Sequence, residues 1–222
     1  MKKLIIVTGI SALVLAGLSA CTQTDVVAKY GISSFNEVVE LSDVTLDSEL
    51  KAWSLVAPDD SARFLFSSDF KATAPHDVML EIEAQPFIDA GLDVTKLPAG
   101  MFVDGMIMVG QTLGEQAFST VKQETPEASF KELVKLSRDT LGYHEALAHY
   151  GIDLGNGNKF EWAKDLSAND KDIVFVLDPQ VFTDAGVDVA NVNGWIFAKV
   201  EVMDESGNKV EVEKLLKPFN LK

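Results

Sequence analysis

The sequence predicts an α+β protein made of two tandem homologous repeats, each running from helices into antiparallel strands, with the repeats packed in a pseudo-two-fold arrangement. Three observations lead there. A block of sequence recurs 95 residues later, apolar spacing changes from helical to alternating within each copy, and glycine and proline punctuate both copies at matching places.

The recurrence is specific. Ser34-Phe35-Asn36-Glu37-Val38-Val39-Glu40-Leu41-Ser42 returns as Ser129-Phe130-Lys131-Glu132-Leu133-Val134-Lys135-Leu136-Ser137, and Thr45-Leu46 returns as Thr140-Leu141. Eight of the thirteen positions from 34 to 46 are identical, where unrelated sequence of average composition gives roughly one. The same register returns when Phe87-Ile88-Asp89-Ala90-Gly91-Leu92-Asp93-Val94 meets Phe182-Thr183-Asp184-Ala185-Gly186-Val187-Asp188-Val189. Asp77 with Asp172, Gln85 with Gln180 and Phe102 with Phe197 follow it too.

Each copy opens on a helix. Ser34 with Glu37, and Ser129 with Glu132, have capping-box spacing, and Phe35, Val38 and Val39 share a helical face, as do Phe130, Leu133 and Val134. A second helix is expected through Leu46, Leu50 and Trp53, and through Tyr143, Leu147 and Tyr150 up to Gly151. Strands follow. Residues 63–66 and 159–162 place aromatics at period two, and 78–82 and 173–177 are short apolar runs. Gly91 and Gly186 then end short helices begun near Pro86 and Pro179. Longer strands over 101–109 and 195–202 close each copy, the second turning at 204–208 into a strand over 209–213. Successive strands with helices gathered at the start indicate antiparallel sheet. Repeat 1 spans 34–125 and repeat 2 spans 126–222, joined by the short polar segment 123–127.

The amino terminus has its own logic. Lys2 and Lys3 precede an apolar run from Leu4 to Leu18, which ends in Ser19, Ala20 and Cys21. This is the order of a secretory signal, and about 15 residues is short for a span that needs roughly 20. Leu18-Ser19-Ala20-Cys21 resembles the lipobox of bacterial lipoproteins at all four positions, over the first tenth of the chain. The resemblance implies cleavage between Ala20 and Cys21, a diacylglycerol thioether on the Cys21 sulfur and a fatty acyl chain on the new amino terminus. Residues 1–20 are then the signal peptide and 21–33 a lipidated tether. Two or three chains give stable anchoring where one gives marginal binding. The resulting address is the outer face of the cell membrane. In a Gram-negative cell it is the outer membrane, because Thr22 stands where an aspartate would retain a lipoprotein at the inner one.

Cys21 is the single cysteine, so disulfides and cysteine-rich metal sites drop out. The formal charge is −15, and loss of Lys2 and Lys3 with the signal takes it to −17. Such a surface repels phosphate backbones and anionic head groups, which argues against nucleic acid as a partner.

Candidate sites each have a structural alternative. Asp89 and Asp93, repeated as Asp184 and Asp188, offer paired carboxylates to a divalent cation but lack the full ligand set of a calcium loop. A helix end followed by an Asx turn accounts for them as well. His144-Glu145-Ala146-Leu147-Ala148-His149 misses the zinc-protease spacing by one residue, which on a helix turns the histidines about 140° apart. Tyr143, His144, His149, Tyr150 and Trp162, beside the loop Gly155-Asn156-Gly157-Asn158, form a candidate ligand-binding surface; core packing is the alternative. No nucleophile elbow and no phosphate-binding glycine motif appears. The expectation is a non-enzymatic envelope module without a cofactor, binding a small ligand or a protein partner between the copies. A hydrolase using carboxylates or histidines, and a structural spacer or assembly factor, are the other readings.

Overall fold

The computed structural model describes residues 29–68, 78–110, 123–136, 141–144, 148–164, 166, 171–203 and 206–221. The signal segment, Ala20 and Cys21 lie outside them. The first half runs through helix α1 (29–41), strands β1 (Thr45–Asp47), β2 (Ala52–Val56), β3 (Ala62–Ser67) and β4 (Val78–Glu83), short helix α2 (Gln85–Asp89), and strands β5 (Phe102–Val103) and β6 (Met106–Gly110). The second half repeats that order with α3 (Pro126–Leu136), β7 (Leu141–His144), β8 (His149–Gly155), β9 (Asn158–Ala163), β10 (Ile173–Leu177), α4 (Gln180–Asp184), β11 (Ile196–Met203) and β12 (Lys209–Phe219). Among the described residues no helix is long and apolar enough to cross a membrane.

The protein is therefore mixed α and β, with two antiparallel six-stranded sheets ordered β1-β2-β3-β4-β6-β5 and β11-β12-β10-β9-β8-β7. Read from the other edge, the second order matches the first strand for strand.

Three expectations need correction. The second helix of each copy is a hairpin: Leu46 lies opposite Trp53 across β1 and β2, and Tyr143 opposite Tyr150 across β7 and β8. A spacing of seven, which is two helical turns, is also the spacing of partners across a short hairpin turn. Asp47 Oδ1 closes the first of these turns by accepting from the amides of Glu49 and Leu50, both at 3.0 Å. Nor do Ser34 and Ser129 cap helices. The chain is already helical at residue 29, inside the expected tether, and both serines are buried within their helices. Thr125 caps α3 instead, its Oγ1 accepting from the Ala128 amide at 3.2 Å, with Pro126 following as the first helical residue. The strand expected over 101–109 folds back on itself at Asp104-Gly105, whose φ values of 50° and 85° fit a two-residue turn that tightens the hairpin.

One hydrophobic core draws on both halves, joining inner-face residues of the first sheet such as Phe64, Phe66 and Leu80 to Phe160, Trp162 and Phe175 of the second. Residues at corresponding places in the two halves meet across it, two of the three pairs in the 95-residue register and Phe64 with Phe160 one residue off it. Phe35 stacks on Phe130 with ring centroids 3.4 Å apart, Phe64 stacks on Phe160 at 4.0 Å, and Phe87 lies 4.8 Å from Phe182. The buried serines tie the halves as well: Ser34 Oγ donates to the Ala163 carbonyl at 2.7 Å, and Trp53 Nε1 donates to Ser129 Oγ at 2.8 Å.

Backbone meets backbone at the repeated Asp-Ala-Gly-x-Asp segment. In each copy the glycine amide and the next amide bond back to the helix, Gly91 to Ile88 and Leu92 to Phe87, Gly186 to Thr183 and Val187 to Phe182. These are Schellman caps, which require the positive φ of 104° at Gly91 and 97° at Gly186. The two caps dock on each other. The Asp93 amide donates to the Ala185 carbonyl at 2.9 Å and the Asp188 amide to the Ala90 carbonyl at 2.8 Å. A Cβ on Gly91 would stand 2.9 Å from the Gly186 carbonyl oxygen.

This geometry predicts a difference between two substitutions. Gly100 has a φ of +82° and open space where a Cβ would stand, so Gly100→Ala incurs backbone strain alone, about 1 kcal/mol. Gly91→Ala adds a clash with backbone and should cost about 3 kcal/mol, a fall in Tm of about 6–12 °C at 2–4 °C per kcal/mol. Thermal melts of the two variants check this, and equal melting temperatures would refute the contact.

Candidate functional site

The expected aromatic surface faces inward. Tyr150 is paired with Tyr143 on β7 and with Trp162 on β9, and the rings form a ladder with centroid separations of 5.0 and 5.8 Å. Tyr150 and Trp162 are buried in the common core, so they pack between the sheets and do not line an open site. Burial, together with Tyr143 and Tyr30, raises the Tyr150 hydroxyl above its ordinary range.

His144 and His149 are backbone partners where β7 meets β8, not residues on a helix. Alternation turns His149 to the face opposite Tyr150. There its Nδ1 lies 3.7 Å from Glu161 Oε2, with 12% and 6% of the two side chains exposed. That separation is an electrostatic contact, too long for a hydrogen bond. Gly151 leaves the room for it, since a Cβ there would come within 3.3 Å of Glu161 Cγ.

The four aspartates are engaged close to home. Asp89 and Asp184 accept from Gln85 and Gln180 one helical turn earlier, each at 2.7 Å. Asp93 accepts from the Thr95 hydroxyl at 2.6 Å and its amide at 3.1 Å, which with Lys96 hold its carboxyl below the usual range against slight burial. Asp188 accepts from Asn191 at 2.8 Å. Among the described residues no three His, Cys, Asp or Glu side chains converge as a metal-binding group. The docked caps account for the recurrence of Gly91 as Gly186.

The glycine and asparagine loop is a tight hairpin turn, with Asn156 at φ 53° and Gly157 at φ 77°. Asn158 holds it in place, donating to the Gly155 carbonyl at 2.8 Å and accepting from the Asp178 amide at 2.9 Å. Lys214 Nζ reaches both the Gly157 carbonyl at 3.1 Å and Asp178 Oδ2 at 3.3 Å.

This turn forms one side of a cleft of about 600 Å³ between the halves. The first half supplies an apolar wall including Met79, Pro98, Met101 and Met108, and the second half a polar one including Asn156, Asp178, Gln180 and Asp184. A smaller cleft of about 410 Å³ also joins the halves, between Val56 and Pro58 on one side and Phe219 and Leu221 on the other. Beside it Lys217 Nζ donates to Asp59 Oδ2 at 2.7 Å, with 7% of the lysine side chain and 57% of the aspartate side chain exposed. Neither the methionine wall nor this ion pair emerges from the sequence reading. Met79 and Met101 stand out in the 95-residue register against Val174 and Ile196, whereas Met108 aligns with Met203 there and joins the set only through the strand pairing; the ion pair joins residues 158 apart and left no local signal. Comparison of the chain with protein-family models, curated proteins and solved structures gives no significant match.

Partial burial works to raise the Asp59 carboxyl, but hydrogen bonds from Lys217 and Ser61 outweigh it and hold the group below its ordinary value of 3.8. A carboxyl depressed by folding contributes stability above its unfolded pKa and loses that contribution as pH falls through the folded one. Asp59→Asn should cost about 1–2 kcal/mol at neutral pH, a modest figure because the aspartate is solvent-screened. The gap between wild type and variant should hold constant above about pH 5 and close below about pH 4. Denaturant melts across this range check it; a gap that persists at pH 2 would contradict the pairing.

Proposed function

We propose that the protein is a lipid-anchored envelope lipoprotein, held by Cys21, whose body is a non-enzymatic binding module formed by two homologous repeats about a pseudo-two-fold axis. The cleft of about 600 Å³ is the observation that carries the binding reading. It falls within the size range of ligand sites and combines an apolar wall with a few convergent polar groups. Its walls come from different halves, so only the assembled pair creates it.

The symmetry reading is supported by self-matching contacts. In a two-fold arrangement, matching residues meet on the axis and off-axis contacts occur in reciprocal pairs. Phe35 with Phe130, Phe64 with Phe160 and Phe87 with Phe182 are contacts of the first kind. The bonds from Asp93 to Ala185 and from Asp188 to Ala90 are of the second.

Two measurements test this function. Cys21→Ser should move the protein from the membrane fraction to the soluble fraction, and intact mass of the wild type should carry the added acyl chains; retention of the variant on membranes would remove the anchor. For the cleft, the mature protein in detergent is screened by thermal shift against sugars, short peptides and nucleobases. At least one class should raise Tm, and Val181→Phe, which fills the cleft from α4, should abolish the rise. No shift with any class, or a shift indifferent to Val181→Phe, would count against the cleft as the site.

A further inference from the structure

Four of the six methionines lie in the first half between residues 79 and 108, and three of them line the large cleft. The strand register explains how they are gathered. The Met108 amide donates to the Met101 carbonyl at 2.8 Å, extending the β5–β6 ladder by one pair and setting Met101 opposite Met108. Met79 pairs with Gly110, two residues beyond Met108 on β6, and so stands diagonally from Met108 on the neighbouring strand. Opposite partners have Cβ atoms about 4.5–5.5 Å apart and diagonal ones about 7–8 Å. That is within reach of methionine, whose side chain has three rotatable bonds. Met79 is 8% exposed and packs with Ala52 and Leu65, against which Met108 also lies.

The second half provides an internal control. There Ile196 stands opposite Leu216, and Val174, paired with Pro218, stands diagonally from Leu216. Where one copy has Val174, Ile196 and Leu216, the other has Met79, Met101 and Met108. Aliphatic side chains meet the packing demand of this surface, and methionine adds rotamer entropy to be lost on folding. What the three add is sulfur.

We propose that Met79, Met101 and Met108 form a thioether site for a soft monovalent cation, Cu(I), at the wall of the cleft; the assignment rests on the cleft being the binding site. Thioether sulfur selects Cu(I) over hard divalent ions. Asp178 and Asp184 on the facing wall supply negative charge, part of it offset by Lys214 on Asp178. Cu(I) binds as supplied, with no redox step.

The test uses the mature protein in detergent with Cu(I) delivered as its bicinchoninate complex. The wild type should withdraw one equivalent and bleach the complex. With ¹³C-methyl methionine, the resonances of Met79, Met101 and Met108 should shift and that of Met203 should not. A Met79→Leu/Met101→Leu/Met108→Leu variant conserves volume and should keep its fold, shown by unchanged circular dichroism, while withdrawing Cu(I) at least tenfold more weakly. If the triple variant unfolds, the methyl shifts of the wild type decide the matter alone. No withdrawal by the wild type, withdrawal undiminished in the folded variant, or methyl shifts confined to other residues would overturn the site. Failure with Cu(I) alongside a ligand shift that Val181→Phe abolishes would leave the cleft reading standing; failure of both would remove it as well.

Discussion

At Gly91 and Gly186 the two halves come so close that a Cβ would stand 2.9 and 3.2 Å from the facing carbonyl oxygen. Most of the architecture depends on that contact. A Schellman cap leaves its glycine bare on one side, and here each bare side is covered by the other cap, with Asp93 and Asp188 donating their amides across the junction. The requirement for small, left-handed and hydrogen-bonded backbone falls on both copies alike. That is why a glycine stands at both Gly91 and Gly186, each after an alanine whose carbonyl accepts from the other half. Phe87 and Phe182, from the turns just before, complete the junction beneath it.

The rest of the interior follows from bringing the halves together there. The inner face of each six-stranded sheet is covered by residues of the other half, and Phe35 and Phe130 bring the long helices into the same cluster. A sheet with one uncovered apolar face is not stable in water, so neither half is complete without its partner. Three polar side chains at the junction are matched across it. Ser34, Ser129 and Lys217 are all buried, and each finds its oxygen or nitrogen partner on the opposite half. Both clefts are products of the same junction, because each takes its walls from the two sides of it.

Much of this was legible in the sequence, for definite reasons. The 95-residue register, the period-two strands and the two C-terminal glycines reflect local demands that leave local traces. The hairpins at 45–56 and 141–155 look helical in sequence because a turn of a few residues sets Leu46 against Trp53, and Tyr143 against Tyr150, at the spacing of a helix. Ser34 and Ser129 mislead for a related reason: a serine next to an apolar helical face looks like a cap until a tertiary partner claims its hydroxyl. The aromatic set around Tyr150 stands out in composition, yet its role is to fill the core. The cleft was expected between the copies, but its lining joins residues from distant parts of both, and only the register of β4, β5 and β6 shows that Met79, Met101 and Met108 share it.

The two halves form one cooperative body, which calorimetry of the mature protein checks. A single unfolding transition with equal calorimetric and van 't Hoff enthalpies is expected. Two resolved transitions, or a cooperative melt from residues 34–125 expressed alone, would contradict it.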